Sequence, residues 1–552
     1  MARSSSLVHP TTLKPLAVPA PAVRRRASSL GGAFWGGRAY EAASLDSQDL
    51  GGFRPPTYSP DRAIGGSRRT LDARLHDMVR NDGWAAGTVS AFVNTAIGVN
   101  LRYSSKPDWR ALGLDFEVAV ELGKAFETAW RVHCNDPRRY CDARRQVGMG
   151  GQFHQEFRHL AIDGDAIALA LWREEQRRGG FPYATTFQVM HPARLSNPHD
   201  KPDEELLRGG VALDRFGAAV GYHFRRRHPG DRGIAAGLGG VQWDFVARET
   251  PWGRPMVIHH FRPDEAEQTR GVSPFAPIVR RLKMLGKYES AEVQAAVANA
   301  VLAAYIETSL DPETMSELLD NKEKRDSFND EREALYDEAP IMLNGFRMPV
   351  MPPGDRINFP MAARPNRESG DFANLSLRYV ASATGLNPST ISRDYAQTNY
   401  SSERAAMLEG WRTISTARDS FANGIATLKL LCVLEEAVET GLVELPPGAP
   451  AFWEAPGAYL AGKWIGPPRG WVDPLKEAQA SQARQDAYVS TAEDENAEQG
   501  RDWEETFEQR RVEQLRREEL GLTGPARTAM RETERETANG DRETETVYER
   551  EG

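Results

Sequence analysis

The sequence predicts a mixed α/β protein that is mainly helical and has one strand-rich region between its helices. The first observation is a long alanine-rich segment that begins at Ser273-Pro274 and has no proline between 278 and 307. Serine is a favoured N-cap and proline is tolerated at the first helical position, so a helix is expected here. The second observation is the residue pattern of 166–260, where short apolar or alternating runs are separated by Gly and Pro. This pattern predicts β-strands.

The chain before the strand-rich region is predicted to be helical after a mobile arm. Residues 1–39 are rich in Ala, Arg, Ser and Pro and are expected to form a mobile N-terminal arm. Apolar residues at helical spacing predict helices over 71–98, with a break at Gly83, and over 116–131. Within the strand-rich region, 214–217 (Asp-Arg-Phe-Gly) suits a hairpin turn with glycine in the left-handed conformation.

The alanine-rich helix is predicted to run from Pro277 to Glu307, which corresponds to about 45 Å at the usual rise per residue. Its alanines keep most faces small and so permit close neighbours. The apolar positions at helical spacing are Ile278, Leu282, Leu285, Val293, Val297, Val301 and Tyr305. Taken alone, this pattern also fits a central helix of an ordinary α/β domain.

After this helix the sequence predicts an acidic helical connector over 311–338 and two short strands around 341–359. A long amphipathic helix is expected over 402–440, and surface helices over 478–520. The segment after Gly521 has almost no large apolar residues and many charges. Because it cannot offset the entropy of folding, a disordered tail is predicted there.

Composition bounds the class of protein. The chain has 552 residues, of which 40% are hydrophobic and 27% charged, with a formal net charge of −9. This predicts a soluble protein of several domains. No apolar run is long enough to suggest a membrane span. Three cysteines in a chain of this length do not suggest a disulfide framework and fit a reducing compartment, the cytoplasm by default.

Searches for catalytic motifs give no candidate, so no catalytic, cofactor-binding or metal-binding residue is predicted. The chain lacks a phosphate-binding loop, an HExxH motif and a GxSxG motif. One group of chelating residue types, His133, Cys134 and Cys141, lacks the spacing of a zinc site. A second group at 154–165 contains two histidines and three acidic residues. Its histidines are five apart and would face different sides of a helix, so a structural role is favoured over a metal or nuclease site.

Several short motifs, in colinear order from about Tyr40 to about Leu520, resemble the portal proteins of lambda-like tailed phages. Each motif is weak alone, and their order carries the resemblance. They are Tyr40-Glu41-Ala42-Ala43, Arg74 through Arg80-Asn81 to Trp84-Ala85-Ala86-Gly87, His159 through Gly164-Asp165, His191-Pro192-Ala193-Arg194-Leu195, Gly210-Val211-Ala212-Leu213-Asp214, Arg270-Gly271-Val272-Ser273-Pro274, Asn399-Tyr400-Ser401-Ser402-Glu403-Arg404, and Trp471-Val472-Asp473-Pro474-Leu475-Lys476-Glu477-Ala478.

The resemblance implies a portal fold of wing, stem, clip and crown, assembled into a ring, usually twelve-membered, with a central channel at one vertex of the phage head. Its implied partners are double-stranded DNA passing non-specifically, the terminase large subunit, the major capsid or scaffold protein and a head-tail connector protein. No membrane partner and no cofactor are implied. The implied location is the portal vertex of the virion, and the host cytoplasm during assembly.

The resemblance also divides the chain. In such portals two stem helices bracket a clip domain, a wing surrounds them and a crown faces the capsid interior. The expected segments are the arm at 1–39, the N-terminal part of the wing at 40–144, the first stem helix at 145–165, the β-rich clip at 166–262, the second stem helix at 263–310, the wing with channel loop and long helix at 311–446, the crown and its approach at 447–521, and a disordered acidic tail at 522–552.

The best candidates for a basic ring in the channel are Arg280, Lys283 and Lys287, which share one face of the alanine-rich helix. A solvated outer stripe or intersubunit salt bridges remain alternatives for these residues. The segment 385–400 is the first candidate for a channel loop, and 360–371 the second. The polar candidates in the first loop are Asn387, Arg393, Gln397 and Asn399. A further basic run, Arg225, Arg226 and Arg227, is a candidate contact for the terminase or a neighbouring subunit.

Two other classes of function stay open at this point. A DNA-processing enzyme of the packaging apparatus would need a carboxylate cluster or a phosphate loop, and a minor capsid or scaffold protein would lack a central channel. Electron microscopy of the purified protein separates the ring from these alternatives.

Overall fold

In the computed structural model, residues 1–58 and 59–552 are two compact units. The first unit contains a 3-10 turn at Glu41–Ala43 among its described residues. The residues that the structure describes are 41–43, 48–50, 52–99, 101–231, 241–301, 305–308, 322–323, 326–327, 330, 334, 341–343, 346–348, 355–358, 369–395, 400–470, 473–522, 529–536 and 542–549. The predicted arm at 1–39 and most of the predicted connector at 311–338 lie outside them.

The described helices of the second unit confirm a mainly helical chain. They are α1 (Pro60–Gly65), α2 (Arg68–Asn81), α3 (Gly83–Ala96), α4 (Trp109–Leu112), α5 (Phe116–Asn135), α6 (Met149–Asp163), α7 (Glu174–Arg178), α8 (Val279–Val301), α9 (Ser369–Thr384), α10 (Pro388–Ser392), α11 (Tyr400–Phe421), α12 (Thr427–Glu439), α13 (Pro456–Tyr459), α14 (Pro474–Asp486), α15 (Ala492–Glu498) and α16 (Trp503–Glu519). None of these helices is both long and apolar enough to cross a membrane.

The described strands form small antiparallel sheets. They are β1 (Arg102–Ser105), β2 (Asp165–Trp172), β3 (Thr185–Met190), β4 (Leu207–Arg208), β5 (Val211–Leu213), β6 (Ala219–Arg225), β7 (Trp243–Ala247), β8 (Val257–Phe261), β9 (Tyr305–Thr308), β10 (Ile341–Leu343), β11 (Phe346–Met348), β12 (Asp355–Asn358), β13 (Gly462–Ile465), β14 (Ala529–Glu536) and β15 (Arg542–Glu549). The strand-rich region contains a three-stranded sheet in the order β3-β2-β8 and a four-stranded sheet in the order β4-β5-β6-β7.

Local signals place several of these elements where the sequence predicted them. The predicted break at Gly83 separates α2 from α3, and the Asp82 carboxylate caps α3 by accepting the Ala85 N–H at 2.9 Å. The predicted turn at 214–217 joins β5 to β6, with Gly217 at a φ of 82°. This left-handed conformation costs glycine little, which explains why the hairpin turns there.

The alanine-rich helix is shorter than predicted. A 3-10 turn at Ala276–Ile278 precedes α8, and α8 ends at Val301 instead of continuing to Glu307. Residues 305–308 form β9, which pairs with β12. The long-range ladder therefore overrides the local helical preference of this segment. The start of the helix also differs from the prediction, because Phe275 and not Ser273 is the N-cap of the 3-10 turn, while the Ser273 hydroxyl accepts the Phe275 N–H at 3.0 Å just before it.

The helix predicted to begin at Arg145 begins at Met149. The Asp142 carboxylate accepts the backbone N–H groups of Gln146 and Val147 at 2.8 and 3.1 Å, and Arg145 has a left-handed φ of 53°. A tight turn thus occupies 142–147 and delays the helix. The helix ends at Asp163, and Gly164 follows with a φ of 80° and a missing Cβ that would lie 2.4 Å from the Val272 carbonyl carbon.

One large core joins the predicted wing and the predicted clip. Ala166, Ala168 and Phe187 of the three-stranded sheet belong to the same buried cluster as helices α2, α3, α5, α6, α11 and α12. A smaller cluster, which includes Ile167, Tyr222 and Phe224, fills the space between the two sheets of the strand-rich region. The boundary expected between residues 165 and 166 therefore falls inside a continuous core and does not separate two folding units.

The predicted amphipathic helix at 402–440 is present but interrupted. Alpha-helices α11 and α12 are joined by a π-helical turn at Ala422–Ala426. Gly424 allows the ring of His260 to approach, because a Cβ at this position would lie 2.1 Å from its Nδ1. The extra residue in this turn therefore accommodates a strand side chain against the helix.

The C-terminal segment differs from the predicted disordered tail. Strands β14 and β15 pair in an antiparallel ladder from Ala529↔Glu549 to Glu536↔Arg542. The sequence between the two strands contains Asn539-Gly540, a dipeptide typical of hairpin turns. The tail was predicted from composition, which does not take such a dipeptide into account.

Candidate functional site

The basic stripe of α8 lies on an exposed face of the helix. Arg280, Lys283 and Lys287 are exposed, whereas Leu282 and Leu285 on the other face are buried. All three cations therefore project from the described part of the subunit, although nothing within one subunit fixes which direction they face in an assembly.

Contacts on the buried side hold the first half of α8. The indole Nε1 of Trp84 donates to Glu289 at 2.9 Å, and the rings of Tyr288 and Phe372 lie 4.6 Å apart. The guanidinium of Arg281 lies 5.5 Å from the centre of the Phe372 ring. These contacts fix α8 against α3 and α9.

The second half of α8 has an exposed apolar face. Val293 and Val297 belong to the apolar positions predicted at helical spacing, yet they are 63% and 56% exposed. The apolar positions predicted at helical spacing are thus buried in the first half of the helix, at Leu282 and Leu285, but exposed in the second half. Its partner would have to come from outside the described part of this chain.

The predicted channel loop at 385–400 contains a short helix, α10, and not a simple turn. Asn387 caps this helix by accepting the Ser389 N–H at 3.3 Å, and its Nδ2 donates to Glu403 of α11 at 2.8 Å. Asn387 is thus tied into the fold. Gln397 and Asn399 lie outside the described residues.

Among the polar candidates of this loop, Arg393 is described and exposed, as are its neighbours Asp394 and Tyr395. Arg393 has a left-handed φ of 55° and ends α10. Together with Glu289, Ser290 and Val293 of α8, it lines an open groove of about 880 Å³. The structure therefore brings one predicted loop residue next to α8, at the side of the helix where the apolar face is exposed.

The predicted arginine run at 225–227 is engaged within the subunit. Arg225 lies 4.0 Å from the Asp200 carboxylate and stacks 5.2 Å from the centre of the Trp243 ring. Arg226 donates from Nε to both carboxylate oxygens of Asp244, at 2.9 and 3.0 Å. Arg227 also has an interaction partner. A role in binding another protein would have to compete with these contacts.

A fully buried carboxylate, Asp165, lies at the start of β2, in the group at 154–165 for which a structural role was predicted. Asp165 Oδ2 accepts from Arg68 Nη2 at 2.7 Å and from Arg270 Nε at 2.6 Å, and Oδ1 accepts the Gly271 N–H at 2.6 Å. Burial opposes its ionisation, but the charges of Arg270 and Arg68 outweigh burial and hold the pKa of Asp165 well below its usual range. This network ties α2, β2 and the segment before α8 together.

A second cluster surrounds the buried Asp163 at the end of α6. Its Oδ1 lies 2.8 Å from His76 Nε2, and its Oδ2 lies 2.7 Å from His159 Nδ1. The ring of His191 lies 4.9 Å from that of His159 and 5.2 Å from that of His76. Of these side chains, His76 and His191 line a cavity of about 760 Å³.

The electrostatics of this second cluster follow from burial and from the carboxylate. The hydrogen bond to Asp163 raises the pKa of His76. Burial lowers the pKa of His191 to about 4, and the neighbouring His159 adds to this effect. Burial opposes the ionisation of Asp163, but the hydrogen bonds from His159 and His76 keep its pKa below the usual range. At neutral pH, Asp163 is therefore anionic and His191 neutral.

The group at 154–165 that the sequence singled out is split by the fold. His154 lies apart, 3.3 Å from Asn94, while Glu156 is buried and 2.7 Å from Lys429 Nζ. Glu156 therefore has the structural role that was predicted. His159 and Asp163 instead join His76 and His191, which are far from them in sequence, so that no local spacing could have revealed the cluster.

The motifs that carried the resemblance converge in space at these two clusters. Arg74 through Asn81 supplies His76, His159 through Asp165 supplies both carboxylates, and the motifs that begin at His191 and Arg270 supply those two residues. Membership of these motifs is therefore the signal in the sequence that marks these residues, whereas their meeting in space is seen only in the fold.

Comparison with known proteins gives a consistent result. The profile of the family described as "Phage portal protein, lambda family" matches residues 46–418. The portal protein of Escherichia phage N15 is 34% identical over 86% of this chain and 90% of its own length. Portal protein B of Escherichia phage lambda is 32% identical over 86% of this chain and 89% of its own length.

Among solved structures, the chain is similar to one in the neck of a native gene transfer agent particle computed with C12 symmetry. That match has a TM-score of 0.35 and 14% identity, and it covers 79% of this chain and 91% of the other. The family match extends over most of the chain, and both phage relatives match it over nearly their whole length. This chain therefore belongs to the lambda family of phage portal proteins.

Proposed function

We propose that this chain forms a ring, twelve-membered as in the portals it resembles, through which double-stranded DNA enters and leaves the phage head. The single observation that carries the proposal is α8, a helix of Val279–Val301 with a basic stripe on one exposed face and exposed Val293 and Val297 further along. A ring would give both features a partner. The valines would pack on a neighbouring subunit, and the basic stripe would face DNA.

The overall charge fits a conduit better than a DNA clamp. A protein that grips DNA neutralises phosphates with many Lys and Arg side chains, and each contact strengthens binding. This chain has a formal charge of −9, so a ring of such subunits is acidic overall. DNA would then slide instead of adhering, and a narrow basic ring from Arg280, Lys283 and Lys287 would keep it centred.

The stem helices of the ring admit two assignments. The sequence assigned 145–165 and 263–310 to the stem, with the clip at 166–262, and this assignment stays a prediction. The packing favours another, because α6 is buried in the central core while α8 packs against α9 through Tyr288 and Phe372.

In this second assignment, α8 and α9 are the stem helices and the strands between them form the clip. Strand β9 follows α8 and pairs antiparallel with β12, which precedes α9, and β10 pairs with β11 between them. The described strands between α8 and α9 thus form two antiparallel pairs, with one helix before them and one after. Two helices that bracket a β-rich segment are what the resemblance implies for stem and clip.

The remaining roles follow from the resemblance. The terminase large subunit would dock at the clip, a head-tail connector protein would replace it after packaging, and the capsid or scaffold protein would contact the wing. The site of action would be the portal vertex of the virion, reached from the host cytoplasm during assembly. No enzymatic activity is proposed for the chain.

Mass photometry and negative-stain microscopy of the purified full-length chain test the ring. Twelve subunits of 61.3 kDa would give particles of about 0.7 MDa with a central hole. Ala296→Trp on the exposed second half of α8 should block assembly by overfilling a close contact, whereas Ala483→Trp on the exposed face of α14 should not.

Persistent monomers with and without scaffold protein would contradict the ring. Closed shells without a channel would favour the minor capsid or scaffold alternative, and metal-dependent cleavage of DNA by the purified chain would favour a processing enzyme.

A further inference from the structure

The cluster around Asp163 joins three separate parts of the fold. His76 lies in α2, Asp163 ends α6, and His191 follows β3 directly. One ligand atom from each of these residues lies within 4.8 Å of the others. In the sequence, Asp163 follows His76 by 87 residues, and His191 follows Asp163 by 28. The arrangement of the three side chains therefore depends on tertiary packing.

Their chemistry is that of a metal site with nitrogen and oxygen ligands. Two imidazoles and one carboxylate are a ligand set that first-row divalent metals accept, and zinc sites with three protein ligands keep a further position open. Metal binding needs an ionised carboxylate and neutral imidazoles. Both His76 and His191 also line the cavity of about 760 Å³, which would give an ion a route to the ligands.

A second residue orients the carboxylate. His159 Nδ1 holds Asp163 Oδ2 at 2.7 Å and so leaves Oδ1 directed toward His76, 2.8 Å away. An outer hydrogen bond that fixes the orientation of a ligating side chain is a regular feature of metal sites.

We propose that His76, Asp163 and His191 bind one divalent transition-metal ion such as Zn²⁺. The ion would link α2, α6 and the segment after β3. His159 serves as a positioning residue that orients Asp163. Binding would replace the hydrogen bond between His76 and Asp163 with two bonds to the ion. It would also release the weaker contact in which His191 Nδ1 accepts the Ala193 N–H at 3.1 Å, if this nitrogen is the one that turns to the metal.

The role of the bound ion would be structural and not catalytic. The ion would restrain the junction between the N-terminal helices and the strand-rich region, where Arg68 and Arg270 already meet at Asp165. This inference rests on the fold of the subunit and does not depend on the proposed DNA channel, so either can fail without the other.

Equilibrium dialysis tests the site with the full-length chain, stripped of metal with EDTA and then dialysed against Zn²⁺ in the presence of excess Mg²⁺. Elemental analysis should find one zinc per subunit. The double variant His76→Gln/His191→Gln should bind zinc at least about tenfold more weakly, and His159→Gln should show a smaller loss. The matched control is His154→Gln, because this half-buried histidine also lies in α6 but outside the cluster.

X-ray absorption of the zinc-loaded wild-type chain gives a readout that needs no variant. It should show a nitrogen and oxygen shell at about 2.0–2.1 Å with the scattering pattern of imidazole. Zinc that binds with equal affinity to the wild type and the double variant would overturn the proposal. So would an absence of retained zinc, or a zinc shell without imidazole in the wild type.

Discussion

Arg270 donates from Nε to Asp165 Oδ2 over 2.6 Å, and both side chains are buried although 105 residues separate them in the sequence. The same carboxylate accepts from Arg68, which lies in α2. One anion thus links the helical N-terminal part, the first strand of the three-stranded sheet and the segment that leads into α8. The position of α8 relative to the core depends on this link.

Asp165→Asn should lower the free energy of unfolding by about 3–5 kcal/mol, because it leaves the buried Arg270 guanidinium without an anion and Arg68 with Asp72 alone, at 3.4 Å. Denaturant unfolding of the full-length chain, followed by tryptophan fluorescence, measures this loss. Asp77→Asn is the control, since Asp77 is exposed on α2 and accepts from Asn81 one turn away. A change of less than about 1 kcal/mol for Asp165→Asn would show that the network does not stabilise the fold.

A second buried pair allows a stricter test. Lys429 Nζ in α12 lies 2.7 Å from Glu156 Oε1 and 2.8 Å from Gln152 Oε1 in α6, and both charged side chains are fully buried. Lys429→Met should cost about 3–5 kcal/mol, because it leaves the carboxylate unpaired. The double variant Lys429→Met/Glu156→Leu should recover most of this loss, since no buried charge remains.

The control for this pair is Lys124→Met, which breaks an exposed pair with Glu121 on α5. The loss of stability should be far smaller than for Lys429→Met, because this pair is exposed to solvent. If the double variant is as unstable as the sum of its single variants, the two charges do not act as a pair.

Stability should also depend on the protonation of Glu127. Burial raises the pKa of Glu127 to about 7 from 4.5, although a hydrogen bond from the Ser105 N–H opposes this shift. The folded chain therefore binds this proton more tightly than the unfolded chain. Its contribution to the free energy of unfolding is complete below pH 4.5 and is lost as pH rises to about 7.

Glu127→Gln should remove this dependence, because the amide oxygen can still accept from Ser105 and carries no charge at high pH. The variant should match the wild type near pH 4.5 and be more stable than it near pH 8, as measured by thermal unfolding across a pH series. Equal slopes for the two proteins would rule out Glu127 as the titrating group.

The basic stripe of α8 should act on DNA and not on folding. Changing Arg280, Lys283 and Lys287 together to Gln should leave the rings intact, because these side chains are exposed. It should alter the salt dependence of packaged DNA length per particle, since phosphate-facing charges couple to counterion release. The control changes three exposed arginines of α16, Arg510, Arg511 and Arg517, to Gln.

An unchanged salt response in the α8 triple variant, with normal rings, would place the stripe outside the channel. Failure of that variant to form rings would make the stripe an intersubunit contact.

Local chemistry allowed much of the fold to be predicted. Asp82 and Gly83 mark the start of α3, and the turn at 214–217 marks a hairpin, because caps and turns need particular residue types at particular positions. The end of α8 could not be predicted, since helix propensity favours continuation while the pairing of β9 with β12 depends on residues about fifty positions later.

The candidate sites show the same division. The exposure of Arg280, Lys283 and Lys287 follows from helical periodicity and was predicted. The meeting of His76 with Asp163 and His191 depends on how α2, α6 and β3 pack, and no spacing in the sequence encodes it. Asn387 also shows that a polar residue in a predicted loop can serve as a helix cap instead of a channel contact.

The most direct test of the central claim is a cryo-electron microscopy reconstruction of the assembled full-length chain, with α8 traced in the density. The account predicts a ring with α8 beside the central channel. Arg280, Lys283 and Lys287 should point into the lumen, and Val293 and Val297 should be covered by the neighbouring subunit. A ring in which the three cations face outward, or in which both valines stay exposed to solvent, would contradict it.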